Sequence, residues 1–573
     1  MELQIQLLLY LDKNRILFDM KSHCENFISN STSETLCKFP PFRYNLEIDV
    51  MTLLDFLPEL GRSLLTEPLK WQRTCDKILY AILRSFENDF LDTIQTNQVA
   101  VVIRLKNISP HMTESGPGVY KSLDCFKGKL LNVSKPFPYV YHTVWSCPEE
   151  CDSNEVIIRG IPKTPTRCSV CRSILFENSV LRRCGEQITA TFKMKNVVMP
   201  KKLEIVDDLL LKAKLGLNYL ITIVVQKNIT EVWSIEVLEP LLLPITAFTS
   251  CDIQELFDVC DGVPWKFIYC LASTIGATLC PLNCFMHLKI TLLLSLTSIK
   301  ANVFNVSNII HVLATGFDTR FVGKLMYAGA ALANTSMALG TSNTSITSSL
   351  IACTGGILFM PLPLHTYHKK LTGAILSSIE SNEIIHDTGR IKLGCAVWAQ
   401  GMDFKNVNVN DIAKVFGTVC RGDYGEYEDD IAEYMLLKAI DPNHNRNDEK
   451  QAMTDVAQYI DLVASIPVKL DCVSEKKLTN YFLAARKERP RGVPIGSLET
   501  LLNICMNSAR LCRRFVTNEQ DAIFAIWLHV SACFEPRFAP DEYLQTPADV
   551  KQLHKIFDNF KNWLNEFTGS YDY

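Results

Sequence analysis

The sequence lacks several features that would have fixed its class at once. Its 58 Lys and Arg residues are offset by 62 Asp and Glu residues, giving a net charge of −4. The net charge therefore gives no support for a general attraction to nucleic acid, and any such binding must use a local basic patch. The most apolar stretch, residues 267–296, is interrupted by Asn283 and Lys289. It predicts a buried core and no membrane contact, because a membrane span needs about 20 uninterrupted apolar residues.

The sequence also lacks a basic amino-terminal region, since it opens with Met1-Glu2-Leu3-Gln4. This opening argues against a signal peptide. The 21 cysteines are odd in number and scattered along the chain, which predicts reduced thiols in the cytosol or nucleus. No internal repeat or low-complexity tract is present, and 573 residues are enough for roughly three or four domains.

Hydrophobic patterning divides the chain into regions of different class. Helix and strand patterns alternate over the first hundred or so residues, and residues 264–399 mix the two as in an α/β layer. The chain is helical from residue 426, and the polar run 441–450 is the best candidate for a linker or exposed loop. Between these regions, a series of short strands predicts a small barrel with a long excursion in its middle. The predicted barrel strands are residues 128–133, 139–144, 155–161, 187–193 and 219–225.

Within the barrel-like region lie two close cysteine pairs, Cys147 with Cys151 and Cys168 with Cys171, separated by sixteen residues. Two such pairs joined by a loop have the spacing of a zinc ribbon, in which four thiolates surround the ion tetrahedrally. The alternative is four unrelated buried thiols, and Cys184 is a possible substitute ligand. The predicted zinc would be structural, because four protein ligands leave no open position for water.

Residues 308–322 have the order of a P-loop, with a strand, a glycine turn and a helix. A P-loop needs a Lys that reaches the phosphates and a following Ser or Thr for Mg²⁺. Those two places hold Phe321 and Val322, after the vestigial turn residues Gly316, Asp318 and Thr319. A later pair, Gly323-Lys324, leaves six residues after Gly316 instead of four, and Leu325 follows where Ser or Thr is required. The sequence therefore predicts an ATPase outline without its phosphate ligands.

Several sequence segments resemble the minichromosome maintenance (MCM) helicase family. They are KLEIVDDL at residues 202–209, HLKITLLLSL at 287–296, DIAEYML at 430–436 and, most clearly, residues 493–528. The resemblance implies a multidomain α/β plus β protein. Its expected parts are an α/β head (1–106), an OB-fold with a zinc-ribbon insertion (107–250, insertion about 145–186), a degenerate AAA+ core (251–425) and a helical lid (426–573).

Compared with the family, the chain departs at the phosphate-facing positions. The second core strand should end in Asp-Glu, which hold Mg²⁺ and polarise water, but Pro361 and Leu362 stand there. Gln400 lies near the place of the sensor asparagine, and Lys414 lies near that of the arginine finger. The resemblance therefore implies a pseudo-ATPase that is not an enzyme, with neither ATP nor Mg²⁺ expected as a cofactor.

The resemblance also implies a role. We expect a nuclear, non-catalytic MCM-like factor that binds DNA and partner proteins in meiotic recombination and double-strand-break repair. The DNA is expected to be single-stranded or a recombination intermediate, and the partners to be other MCM-like proteins or recombination factors. Two alternatives remain: a helicase subunit that still binds nucleotide in a ring with active partners, and a protein-binding scaffold without DNA contact. OB-folds bind single strands with basic grooves and stacking aromatics, and the candidates here are Phe192, Lys193, Lys195, Lys201 and Lys202.

A basic trio, Arg510, Arg513 and Arg514, lies within the predicted lid. A contact with DNA or a nuclear-import signal is one interpretation. We expect instead that these residues form an exposed, solvated face of the lid helices.

Overall fold

In the computed structural model the chain divides into two compact units, Met1–Glu239 and Pro240–Tyr573. Within the described ranges no helix combines the length and apolar character needed to cross a bilayer. The structure describes residues 3–33, 39–86, 91, 93–113, 123–149, 151, 155–194, 197, 199–226, 229–240, 250–316, 319–341, 345–401, 409–421, 427–440, 446–490, 492–532 and 537–569.

The first unit begins with helices packed around a two-stranded parallel sheet in which Phe42 lies opposite Val99 and Asp49 opposite Lys106. Alternate residues of the first strand are buried, as expected for a strand covered on one face. The Asp49 side chain caps the third helix by accepting hydrogen bonds from two backbone N–H groups. The elements are α1 (Leu3–Lys13), α2 (Ile16–Ser33), β1 (Phe42–Asp49), α3 (Val50–Phe56), α4 (Pro58–Thr66), α5 (Pro68–Arg84), β2 (Val99–Lys106) and α6 (Pro110–Thr113).

The rest of the first unit is an eight-stranded antiparallel sheet that curls into a half-barrel. The strands run in the order β10-β9-β3-β7-β4-β5, with β6 beside β4 and β8 beside β7. Its apolar face encloses Leu130, Phe192, Ile205 and Ile221. The strands are β3 (Leu123–Val133), β4 (Phe137–Ser146), β5 (Val156–Ile158), β6 (Phe176–Glu177), β7 (Arg183–Met194), β8 (Lys201–Val206), β9 (Asn218–Gln226) and β10 (Ile229–Val237).

The second unit contains a five-stranded parallel sheet with the order β12-β13-β16-β11-β17. The close approach of β12 and β13 depends on Gly356, because a Cβ atom there would lie 1.9 Å from Thr335 O. The elements are α7 (Cys251–Val259), α8 (Pro264–Ser273), α9 (Met286–Val303), β11 (His311–Thr315), α10 (Thr319–Ala330), β12 (Ser336–Ala338), α11 (Ile346–Ala352), β13 (Ile357–Pro363), α12 (Lys369–Ser381), β14 (Glu383–His386), β15 (Gly389–Lys392), β16 (Ala396–Gln400), α13 (Val409–Phe416) and β17 (Gly417–Arg421).

Helix α9 lies at the centre of the second unit and is buried over nearly all of its length. The sequence prediction of a buried core here is therefore confirmed. Even Lys289 is fully buried, and its ammonium donates to Pro281 O and Leu282 O at 3.2 Å each. Burial lowers the pKa of Lys289, because the charged form is poorly solvated there.

Helices form the remainder of the second unit: α14 (Glu428–Ile440), α15 (Arg446–Val463), α16 (Cys472–Glu488), α17 (Gly496–Leu511), α18 (Glu519–Ala532) and α19 (Val550–Gly569). The expected loop at 441–450 is wrong in its second half, because α15 already begins at Arg446, and residues 441–445 lie outside the described residues. The broader prediction of a multidomain, mixed α/β protein is confirmed.

The basic trio is not an exposed face, so that expectation is wrong. Arg510 has 0% exposure, and its guanidinium donates to Ile466 O, Asn507 Oδ1 and Val306 O. Arg514 forms an ion pair of 2.6 Å with Asp521, which is itself fully buried. These arginines therefore join helices of the lid to one another and to the turn after α9.

Candidate functional site

The two cysteine pairs meet in one place beyond the end of β4. Their four sulfur atoms all lie within 4.8 Å of one another, and Cys147 Sγ is 3.3 Å from Cys171 Sγ. The second pair sits on a tight turn, in which the Cys168 N–H donates to Ser173 O at 2.9 Å and the Val170 N–H lies 3.4 Å from Cys168 Sγ. Such a turn points two thiols of one short segment in the same direction.

This cluster has the donors that a metal ion needs. Four sulfurs bound tetrahedrally to Zn²⁺ at about 2.3 Å would lie about 3.8 Å from one another, close to the spacing observed. The residues can therefore hold a metal ion, and their chemistry is compatible with zinc. Cys184 is an exposed residue of β7 opposite Val140 and is not a member of the cluster.

The insertion that carries the cysteines is attached to the helical part of the same unit. Gln95 Nε2 donates to Glu155 O and Asn97 Nδ2 to Ile157 O, each at 2.9 Å. Arg159, just after β5, forms an ion pair of 2.7 Å with Asp76 of α5. These bonds fix the edge strand β5, and no signal in the sequence had pointed to them.

A second link within this unit uses the Asp207-Asp208 pair that carried part of the family resemblance. Asp208 accepts three hydrogen bonds from Arg104 of β2, at 2.6 to 3.1 Å. Asp207 accepts from Arg43 of β1 and from the Tyr139 hydroxyl, each at 2.6 Å. The two acids therefore tie the half-barrel to both strands of the parallel pair.

The predicted nucleic-acid contacts do not all lie on one surface. Lys193 and Lys202 are exposed and share a face, because Lys202 lies opposite Thr191, two residues before Lys193 on β7. Lys201 is half-buried, with its ammonium 4.4 Å from the Phe126 ring centroid. Lys195 lies outside the described residues.

Phe192 was wrongly predicted as a stacking residue. Its side chain is fully buried in the half-barrel, with its ring edge-on to Tyr219 at a centroid distance of 6.3 Å. The alternation of Ile188, Ala190 and Phe192 along β7 could have revealed this, because every second residue of a strand faces the same side.

At the P-loop position, β11 leads through Gly316, which has a positive φ of 73°, into α10. Phe321 stacks on Phe285 at a centroid distance of 5.5 Å, and Phe285 in turn contacts Tyr427 at 5.0 Å. Val322 is fully buried in the core. Thr319 begins α10, and Asp318 lies outside the described residues. Aromatic rings therefore pack together where a P-loop would present its lysine.

The described carboxyl ends of β13 and β16 also carry no acid. Pro361 and Leu362 occupy the end of β13, as the sequence predicts. Gln400, at the end of β16, is buried, and its Nε2 donates to Pro361 O at 2.5 Å. The same amide lies against α10, since a Cβ atom at Gly323 would be 2.7 Å from it. Gln400 therefore bridges the two elements between which a sensor residue would contact phosphate.

Comparison with known proteins finds one matching family model and two similar proteins. Residues 3–108 match the family model described as "MCMDC2, N-terminal domain". "Minichromosome maintenance domain-containing protein 2" of Rattus norvegicus is 20% identical, over 91% of this chain and 89% of the relative. The protein of the same name from Mus musculus matches with the same identity and coverage. The chain resembles MCMDC2 along nearly its whole length. The MCM resemblance drawn from the sequence is thereby confirmed.

The MCMDC2 N-terminal match ends two residues after β2. It therefore includes Arg43 and Arg104, the two arginines that bind Asp207 and Asp208 of the half-barrel. The matches to the two relatives extend beyond this range and cover 91% of the chain.

Proposed function

We propose that this protein is a non-catalytic, MCM-like nuclear factor that binds DNA and partner proteins in meiotic homologous recombination and double-strand-break repair. In this proposal its second unit is a degenerate AAA+ domain, and its half-barrel is an OB-fold with a zinc-ribbon insertion. The observation that carries the proposal is the packing of Phe285, Phe321 and Tyr427 where a P-loop ATPase would hold triphosphate.

Phosphoryl transfer needs cations and Mg²⁺ ligands at fixed positions, because catalysis is almost entirely positioning and charge neutralisation. Phe321 cannot neutralise a phosphate, and Pro361 and Leu362 offer no side-chain oxygen to Mg²⁺. Gln400 already bonds to Pro361 O. These observations support the proposal that the described residues at these positions cannot supply the charge and metal ligands for hydrolysis.

In the first unit, Cys147, Cys151, Cys168 and Cys171 would hold zinc as a structural cross-link between the end of β4 and the turn at 168–173. Zinc would supply rigidity there and no reactive position, since all four ligands are protein thiolates. The exposed pair Lys193 and Lys202 is the part of the predicted basic surface that is positioned to contact a phosphate backbone.

An ATP hydrolysis assay tests the proposal that the protein is non-catalytic. Purified full-length protein should release no phosphate above the background of the Phe321→Ala variant, with or without Mg²⁺. A titration with labelled ATP should give no saturable binding. Mg²⁺-dependent phosphate release that is lost in a Gly316→Val variant would overturn the proposal. Saturable binding without hydrolysis would favour a nucleotide-retaining ring subunit, and Lys414→Ala in a complex with active partners would then test its action in trans.

DNA binding needs its own test. A single-stranded oligonucleotide should bind with an affinity that falls as salt rises, because each phosphate contact releases a counterion. The double variant Lys193→Glu/Lys202→Glu should reduce the salt slope by about two, at about one per contact. Lys555→Glu, on the exposed face of α19, is the matched control.

A protein-binding scaffold without DNA contact is the second candidate. The observation that favours it is the burial of Phe192, which removes the one aromatic that was predicted to stack on bases. Absent or salt-independent DNA binding in the same experiment would support this scaffold.

A further inference from the structure

The core of the second unit is short of acidic residues. From residue 262 to residue 379 the chain has seven Lys or Arg residues and one acid, Asp318. Two of the seven, Lys289 and Lys300, are buried and bonded inside the fold. The others include Lys324, Lys369 and Lys370, which are exposed. This part of the molecule therefore presents positive charge at its surface with little acid nearby in sequence.

A cavity of about 720 Å³ opens in this same region, between α10 and the end of β13. Its size is within the range of ligand pockets, about 300–1,000 Å³. Most of its wall is apolar: Tyr327, Phe359, Pro361, Leu362 and Pro363. Tyr327 is 63% exposed and Leu362 39% exposed, so two apolar side chains of the wall remain open to solvent. The residues that replace the acidic pair of an ATPase thus form a hydrophobic pocket.

The lining of the pocket contains one cation, Lys324 of α10. Two more exposed lysines, Lys369 and Lys370, follow Pro363 along the chain at the start of α12. Among the described residues none of these three ammonium groups lies within 4.0 Å of a carboxylate oxygen. An apolar pocket beside exposed, unpaired cations is complementary to a chain segment that has an apolar side chain flanked by acids.

Gln400 is 1% exposed and lies against two residues of the pocket wall, Pro361 and Gly323. Its Nε2 is bonded to Pro361 O, but its Oε1 is buried without a hydrogen-bond partner among the described residues. Both Pro361 and the adjacent Gly323 line the pocket. Gln400 therefore supports the pocket wall from behind by holding Pro361.

We propose that this pocket, lined by Lys324, Tyr327, Phe359 and residues 361–363, binds an acidic peptide segment of a partner protein through an apolar anchor residue. The proposal rests on the proposed function, since a pocket used in this way cannot also be a magnesium site. The apolar residue occupies the wall made by Tyr327 and Leu362, and the flanking carboxylates approach Lys324. Recognition of this kind combines a buried anchor with a charged rim that steers association.

Selection from a display library of short random peptides tests the proposal with the full-length chain. Binders are selected on the unmodified protein and counter-selected on the Leu362→Asp variant, whose substitution is at a partly exposed strand end and places a charge in the apolar wall. We expect enriched peptides to combine Asp or Glu with a Leu, Phe or Trp anchor. A failure to enrich any sequence over the counter-selected variant, or enrichment of basic sequences, would overturn the proposal.

Fluorescence polarisation with the most enriched peptide then measures each part of the site. Leu362→Asp and Lys324→Glu should each weaken binding by about tenfold, and the loss for Lys324→Glu should shrink at high salt because exposed charges are screened. Ile385→Asp and Lys555→Glu, both at exposed positions elsewhere in the unit, should leave the affinity unchanged. Equal binding by the variants and the parent would place the peptide elsewhere and refute the site.

Two further measurements distinguish a partner peptide from other occupants of the pocket. Helix α14 of a second copy also has acids and exposed apolar residues, including Leu436 and Leu437. A concentration-dependent dimer that Leu362→Asp abolishes would replace the partner peptide with a second copy. Phosphate release measured on the same preparations keeps the two proposals distinct. ATP hydrolysis would contradict the proposed pseudo-ATPase, whether or not peptides bind. Absence of both hydrolysis and peptide binding would contradict only the peptide-binding inference.

Discussion

The ion pair between Arg104 and Asp208 gives a quantitative test of how the first unit is held together. Arg104 has a side-chain exposure of 8%, and Asp208 of 37%. Replacing Asp208 by Ala leaves a nearly buried guanidinium without its partner, which costs about 1–3 kcal/mol. Because Asp208 is partly solvated, its pair is weakened by water, and we expect the lower part of that range, about 1–2 kcal/mol. With a urea dependence of about 2 kcal/mol/M, the midpoint of the first unit should fall by about 0.5–1 M.

The assay must report on the first unit alone, because the chain has two units and more than one unfolding transition is expected. Cys75 is fully buried in α5, so its reaction with a pyridyl disulfide, read by peptide mass spectrometry, follows unfolding of this unit. Glu204→Ala, at an exposed position of β8, is the matched control. The double variant Arg104→Met/Asp208→Leu should recover part of the loss, since it removes both partners together.

The difference in stability between the parent and the Asp208→Ala variant should depend on pH with a defined sign. Burial alone would raise the pKa of Asp208, but the hydrogen bonds and charge of Arg104 outweigh it and lower the pKa below its usual value. The stabilisation is therefore complete above the unfolded pKa of about 3.9 and is lost as the pH falls through the lower folded-state pKa. The parent and Asp208→Ala should differ equally at about pH 7 and 5, and the difference should shrink as the pH falls below about 4. An undiminished difference at the acid end, or none at neutral pH, would refute the reasoning.

Four other predictions concern the metal, the carboxy-terminal helices, the sheet and helix α12. Elemental analysis of the purified protein should find about one zinc per chain. The Cys168→Ser variant should lose this zinc, whereas the Cys184→Ser variant should keep it. Equal loss of zinc in both variants would contradict the predicted ligand set. Arg510→Ala should destabilise the second unit by about 2–4 kcal/mol in urea denaturation, because three acceptors, two of them buried, lose their donor. Gly356→Ala should give insoluble protein, since its Cβ would meet Thr335 O at 1.9 Å. By contrast Gly373→Ala, with open space around it in α12, should raise stability by about 0.5–1 kcal/mol.

Local sequence patterns predicted most of the secondary structure, because side-chain periodicity follows directly from the backbone. Each predicted barrel strand overlaps an observed one, for example residues 187–193 within β7 and 219–225 within β9. The spacing of the four cysteines likewise predicted a cluster that the fold assembles. In these cases the deciding interactions are between residues close in sequence or are fixed by a repeated pattern.

The remaining features depend on contacts between distant segments, which periodicity does not report. Arg510 was expected in solvent because arginine is rarely buried, yet it bonds to Val306 O, about two hundred residues away in sequence. The partner of Asp208 is similarly remote, on β2. Phe192 is a different case, since the alternation along β7 contained the answer and the resemblance to DNA-binding barrels led away from it.

Phe285 joins two parts of the second unit, since its ring contacts Phe321 of α10 on one side and Tyr427, just before α14, on the other. In many enzymes that close over a substrate, core and lid are bridged by the ligand and separate when the product leaves. Here the bridge is made of the protein's own side chains and needs no bound ligand. If the proposed function is correct, this contact does not depend on nucleotide, and we expect regulation to act on the amount of the protein or on its partners.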